Sequence, residues 1–155
     1  MSSESAGPLG DQRGSTPDDA TVIRRFAGEP VDQDTIAHYR GLLHHRLLIN
    51  RCNDCGLWHH PPRPLCPSCW SFDVGVQPVT GAGAIALLTF LTSADGASHP
   101  VVTVDLDEQR GVRYTATLVG VESPGTVAID DRVELAWFDR GDVIVPAFRP
   151  VGSSA

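Results

Sequence analysis

The sequence contains no lysine; all twelve of its basic residues are arginine. We read this as a consequence of GC-rich coding rather than a functional demand. No apolar run reaches about 18 residues, which excludes a membrane-spanning helix. Residues 1–30 lack a charged-then-apolar arrangement, which argues against a secretory signal. A cytoplasmic, reducing location without a membrane partner fits both facts. The common catalytic signatures are missing too. There is no G-x-x-x-x-G-K-[ST], no H-E-x-x-H and no G-x-S-x-G. Gly81-Ala82-Gly83-Ala84-Ile85-Ala86 formally fits a dinucleotide fingerprint. It opens a β-rich run instead of a helix, so the glycines are read as room for a sharply bent strand. Asp95, Ser98 and His99 share a predicted loop, and adjacency in sequence is not triad geometry. Asp105, Asp107 and Glu108 read as a solvated turn.

What is present is concentrated in four cysteines, Cys52, Cys55, Cys66 and Cys69, with no others in the chain. They form two C-x-x-C pairs separated by ten residues. Each such turn aims two sulfurs at one point, and two facing turns complete a tetrahedron around one Zn²⁺. Gly56 follows the first pair, where the turn calls for a positive φ. Pro67 stiffens the second. Two disulfides would require an oxidising compartment. A thioredoxin-like site would need one pair at a strand–helix junction. Spacing alone leaves iron open, since a one-iron centre uses the same ligands. Four thiolates leave no position for water or substrate, so the site is structural and its role is folding.

At 155 residues and 41% hydrophobic content, the chain can hold one ordinary domain or a small domain plus a metal-stapled module. Its net charge of −7 is uneven. Residues 36–70 carry four arginines against Asp54 alone, whereas 71–155 carry five arginines against eleven acids. Residues 1–30 are expected to be a disordered leader, with Val22, Ile23 and Phe26 as a short apolar piece that docks on a surface. Asp32 or Asp34 caps a predicted helix with Ile36, Tyr39, Leu43 and Leu47 on one face and His38 elsewhere. That face either packs on its own domain or meets another subunit. Leu47–Arg51 leads into the first knuckle as a strand, and Leu57–His60 leads out, with His59 and His60 on the ribbon surface. Trp70 and Phe72 are expected to cover the junction between the ribbon and the C-terminal part of the chain.

From Phe72 onward the period becomes two. Val102, Val104 and Leu106 alternate with more polar neighbours, as do Val112, Tyr114, Ala116 and Leu118, and then Val133, Leu135 and Trp137. Ile85–Leu91 is apolar on both faces, as in a strand buried on both sides or strongly coiled. Val143–Phe148 is a last strand that Pro146 assigns to an edge or bulge. The chain is therefore expected to be mainly β: an N-terminal helix, a Cys₄ zinc ribbon and a small OB-fold barrel. The divisions are leader 1–30, helix plus ribbon 31–71, barrel 72–150 and tail 151–155.

The run Leu47-Leu48-Ile49-Asn50-Arg51-Cys52-x-x-Cys55-Gly56, followed by Pro61-Pro62-Arg63-x-x-Cys66-Pro67-x-Cys69, resembles the OB-fold, acyl-CoA-associated family with a rubredoxin-like zinc ribbon, domain of unknown function family 35. Gly81-x-Gly83, Val104-Asp105-Leu106-Asp107 and Pro146-x-Phe148-x-Pro150 match more loosely. Trp70 departs from the pattern, since a glycine is common there, and the Gln109-Arg110-Gly111 turn is longer than usual. The resemblance implies a non-catalytic accessory subunit of a thiolase-like or aldolase-like enzyme acting on acyl-CoA thioesters, including those of steroid or fatty acyl side chains. Zn²⁺ would be structural, and acyl-CoA a ligand shared with the partner enzyme in a hetero-oligomer. Arginine suits CoA phosphates because its planar fork bonds two oxygens at once. Arg46, Arg51 and Arg63 are therefore the candidate phosphate contacts, and Ile36, Tyr39 and Leu43 the candidate partner interface. The rival reading is a single-stranded nucleic-acid-binding module, since ribbons and OB barrels both serve that role. The −6 charge of 71–155 and the scarcity of stacking aromatics speak against nucleic acid.

Overall fold

The computed structural model describes residues 17–121 and 125–152. The first half of the expected leader, residues 1–16, and the end of the expected tail lie outside them. Residues 17–30 depart from that expectation. Asp18 caps a helix, α1 (Asp19–Arg25), by accepting from the Thr21 amide. Val22 and Phe26, four residues apart, fall on one face and are buried. That spacing is enough to order the segment against the rest of the chain.

The second helix, α2 (Ile36–Leu43), follows an Asx turn in which Asp32 Oδ1 accepts from the Asp34 and Thr35 amides at 2.9 Å each. Its buried side is His38, Gly41 and Leu42. His38, read as lying away from the Ile36, Tyr39 and Leu43 face, is buried because it shares an i, i+4 row with Leu42. Gly41 lets Leu48 and the Arg46 carbonyl approach: a Cβ there would stand 2.6 Å from Leu48 Cγ.

The ribbon sheet has the order β2-β1-β3, all antiparallel, with β1 (Leu48–Cys52), β2 (Trp58–His59) and β3 (Val74–Pro78). The third strand lies within the stretch expected for the barrel, yet it hydrogen-bonds along the whole of β1.

The remaining strands, β4 (Gly83–Thr92), β5 (Ser98–Leu106), β6 (Arg113–Leu118), β7 (Arg132–Asp139) and β8 (Ile144–Pro150), close a barrel in the order β4-β5-β6-β8-β7. Four junctions are antiparallel, and the fifth, β6 to β8, is parallel. This is the five-stranded Greek-key barrel of the OB-fold. Ile85, Val102, Val104, Leu106, Val133 and Phe148 fill it. The alternation read from the sequence therefore sorts inside from outside on β5, β6 and β7.

Strand β4 differs from its expectation. A register shift between Ile85 and Leu87 leaves Leu87 51% and Leu91 57% exposed, while Leu88 turns inward opposite Val102. One face of this apolar run is therefore open. The glycines do permit the tight strand entry: a Cβ on Gly83 would stand 2.3 Å from the Asp105 carbonyl oxygen.

Pro146 is not at an edge, because β8 lies between β6 and β7. The parallel pairing to β6 covers only Thr117↔Ala147 and Leu118↔Phe148, so Pro146 sits just before it begins. Beyond those two residues β6 and β8 are not paired, and α2 lies against β8 there. Among the described residues, no helix is long and apolar enough to cross a membrane.

Candidate functional site

The two knuckles come from β1 and from the loop between β2 and β3. In each, the amide of the residue after the second cysteine donates to the carbonyl of the first: Gly56 to Cys52 at 3.0 Å and Trp70 to Cys66 at 3.1 Å. Both residues take a positive φ, +76° at Gly56 and +61° at Trp70. Glycine adopts this conformation freely, whereas tryptophan does so at a cost in backbone strain.

The four Sγ atoms lie within 4.8 Å of one another. Cys52 and Cys69 are 3.6 Å apart, as are Cys55 and Cys66. Tetrahedral coordination with Zn–S bonds of ~2.3 Å places sulfurs ~3.8 Å apart. The donor set therefore fits a structural zinc ion held by all four thiolates. Trp70 and Phe72 do not cover the junction with the barrel; they are 71% and 80% exposed.

The three candidate phosphate arginines fall in different places. Arg51 is engaged within the ribbon: Nε donates to the Gly56 carbonyl at 3.3 Å, NH1 donates to Gln77 Oε1 at 3.2 Å, and the guanidinium lies over Trp58. Arg46 lines one surface depression with Arg40 and His44, and Arg63 lines a second with Asn50 and Asp34. Ala37 and Val76 line both depressions, so the two adjoin. Ile36, Tyr39 and Leu43 are half-buried and pack against the chain's own core, with the Tyr39 ring 4.9 Å from that of Phe26.

A second feature is not signalled by any motif. Where β6 and β8 part, a cavity of about 550 Å³ opens between barrel, ribbon and helices. Its floor brings together His38 from α2, His60 from the ribbon and Tyr114 from β6. The ring centroids are 5.0 Å apart for His60 and Tyr114, 5.5 Å for His38 and His60, and 5.8 Å for His38 and Tyr114.

The protons on two of these groups follow from their partners. His38 Nδ1 lies 2.7 Å from the Leu48 carbonyl, which can only accept. Nδ1 therefore carries hydrogen and Nε2 accepts from the Tyr114 hydroxyl at 3.3 Å. Burial lowers the His38 pKa and raises that of Tyr114, which keeps both neutral. Burial, with His38 and His59 nearby, takes His60 down to about 4. Its Nδ1 is buried and has no hydrogen-bond partner among the described residues. His59 is buried and His60 half-buried, so neither histidine is the open ribbon surface expected of it. The i, i+4 spacing of His38 and Leu42 is the one local signal that points to this cluster.

The ChsH2 rubredoxin-like zinc ribbon domain model matches residues 40–75, which includes all four cysteines. A probable enoyl-CoA hydratase alpha subunit of Thermomonospora curvata is 31% identical over 128 residues, covering 77% of this chain and 38% of that protein. Benzoylsuccinyl-CoA thiolase subunit BbsA of Thauera aromatica is 33% identical over 87 residues, covering 55% and 58%. The chain thus spans less than two thirds of the length of these curated relatives. Among solved structures, an Ltp2-ChsH2(DUF35) aldolase chain is 30% identical with a TM-score of 0.71, covering 79% of this chain and 98% of that one. A DUF35 protein of Sulfolobus solfataricus, at 12% identity and a TM-score of 0.57, shares the fold. With its ribbon, its barrel and nearly the full length of a solved member matched, the chain belongs to the DUF35 family.

Proposed function

We propose that this protein is a non-catalytic, zinc-stabilised accessory subunit of a thiolase-like or aldolase-like enzyme that acts on acyl-CoA thioesters, with steroid or fatty acyl side chains as the acyl class. The observation that carries the reading is the match over 98% of a chain from the Ltp2-ChsH2(DUF35) aldolase. The relatives named for a thiolase and a hydratase of CoA thioesters support it.

In this reading the ribbon and barrel hold the complex together, while the partner supplies the reacting groups. A zinc ion closed by four thiolates offers no Lewis-acid position and serves the fold. CoA phosphates would meet Arg46 and Arg63, whose depressions adjoin and whose guanidiniums have no acid partner within ion-pair distance among the described residues. Arg51 would contribute charge from within the ribbon. The partner would meet α2 where Ile36, Tyr39 and Leu43 remain half-open.

The test is affinity capture of the full chain from its native cell, with mass spectrometry of what co-elutes. A thiolase-like or aldolase-like protein in comparable amount is the expected result. Elution alone, or with nucleic acid, would overturn the reading.

A further inference from the structure

We propose that the open edge of β4 over residues 87–92 pairs with the same edge of a second copy of this chain, antiparallel across a two-fold axis at Thr89, to form a homodimer. The pairing is independent of any partner enzyme.

The edge itself comes first. Strand β4 pairs with β5 along its length but with β7 only at Gly83 and Ala84. The last backbone bonds on the β7 side are at Ile85, which donates to the Asp131 carbonyl and accepts from the Asp130 amide. Beyond it, among the described residues, no backbone group bonds to that side of β4.

Alternation decides which groups stand there. The Ser93 amide donates to the Ala97 carbonyl across the hairpin, so Leu91, Thr89 and Leu87 also address β5. The amides and carbonyls of Leu88 and Phe90 therefore point away from β5, into the open edge. Such a row is a template for another strand, and edges are ordinarily blunted by charge, proline or a bulge. Residues 87–92 contain no charge and no proline, and the register shift of β4 lies before them, between Ile85 and Leu87.

Self-complementarity selects a second copy as the occupant. Inward residues must meet inward ones, which limits the register. Centring on Thr89 sets Leu88 opposite Phe90 and Leu87 opposite Leu91, each twice. The Leu88–Phe90 pairs then exchange four backbone hydrogen bonds. The exposed Leu87 and Leu91 of both copies lie side by side on the outer face. Centring on Leu88 sets Leu87 against Thr89, and centring on Phe90 sets Leu91 against Thr89, so the Thr89 register is the one that joins leucine to leucine.

Charge agrees. The chain carries −7, so like charges oppose self-association over much of its surface. Residues 74–94 contain no charged side chain, and Val101 and Thr103 flank β4 on the same outer face. Two copies meet here without opposed charges, whereas a basic or acidic partner finds nothing to pair with.

The experiment is sedimentation velocity of the zinc-loaded full chain over a wide concentration range. The expected result is a reversible monomer–dimer equilibrium. Leu91→Arg sets a charge against Leu87 of the opposite copy, twice per dimer, and should raise the dissociation constant at least about tenfold. Circular dichroism and zinc content report its folding; should it not fold, Leu87→Arg takes its place. Cysteine cross-linking reads the register. Thr89 meets its own counterpart as a non-hydrogen-bonded pair with Cα atoms ~4.5 Å apart, within disulfide reach. Thr89→Cys should therefore give a disulfide-linked dimer on air oxidation. Leu87→Cys should not, because its counterpart lies four residues along, roughly 13 Å away. The parent chain, oxidised alongside, is the blank for the zinc cysteines. A monomer at every concentration, a dimer unaffected by Leu91→Arg, or a dimer that Thr89→Cys links no better than Leu87→Cys would overturn the proposal.

Discussion

Replacing Cys66 by serine should unfold the ribbon tip and leave the barrel standing. Of the twenty-two residues from 52 to 73, three are buried: Cys52, His59 and Cys66. Two of those are zinc ligands, so the segment has almost no hydrophobic core of its own. Its backbone order rests on a few bonds, such as Asn53 N to the Asp73 carbonyl at 2.9 Å and Cys66 N to the Ser71 carbonyl at 2.9 Å. Fixing one residue's backbone costs ~1–2 kcal/mol, so ordering a dozen knuckle residues costs ~12–24 kcal/mol. Structural zinc returns ~10–16 kcal/mol, which matches that cost where burial does not. Losing even a third of the zinc contribution, ~4 kcal/mol, lowers amide protection about a thousandfold. The barrel is closed by its own ladders and filled by Ile85, Val104 and Phe148, none of which belongs to the four-cysteine cluster. Hydrogen exchange resolved by residue is the assay, with metal content measured alongside. Retained protection at 52–73 in Cys66→Ser, or simultaneous loss of protection in β4–β8, would refute the reasoning.

Two further expectations concern single residues. Trp70→Gly should raise stability by ~0.5–1 kcal/mol, measured by urea unfolding, because it relieves a positive φ of +61° at a side chain 71% exposed. A lower midpoint would show that the indole makes a stabilising contact outweighing the strain. His60 should make stability depend on acid. Its folded pKa of about 4 lies below the ordinary 6.5, so the unfolded chain takes up the proton first. The contribution is fully present above pH 6.5 and is lost as pH falls towards 4, with an upper magnitude of ~3 kcal/mol. His60→Phe should flatten that part of the stability profile relative to the parent chain; equal slopes would show that His60 is accessible to protons in the folded state.

The zinc site is legible in the sequence because its information is local: two C-x-x-C turns and a spacer are chemistry written in spacing. The barrel is legible where one face is buried and the other wet, as on β5, because a period of two is also local. Strand β4 is not, since both of its faces are apolar and the register shift that decides which one is open leaves no mark in composition. Helix α1 escapes notice because seven residues carry too little periodicity against a polar background. Trp70 and Phe72 look buried on hydrophobicity alone, which predicts the average aromatic and not the exposed one. His38, His60 and Tyr114 are separated by 22 and 54 residues, and beyond the His38–Leu42 row nothing in local spacing ties them together.

That last cluster results from how the barrel closes. A parallel pairing of only two residues between β6 and β8 leaves the two strands free to part on the side of Tyr114 and Pro146. Helix α2 lines the opening through His38, Tyr39 and Leu42, and the ribbon adds His60. Where zinc orders the ribbon, it also fixes the position of His60 beside the cavity. The two features adjoin: the ribbon that carries the four cysteines also carries His60, and the short barrel seam leaves the space that His60 lines. A DUF35 chain with a longer β6–β8 register would lose the cavity while keeping the zinc, because the strands would close over the space that Tyr114, Ala116 and Val145 now line.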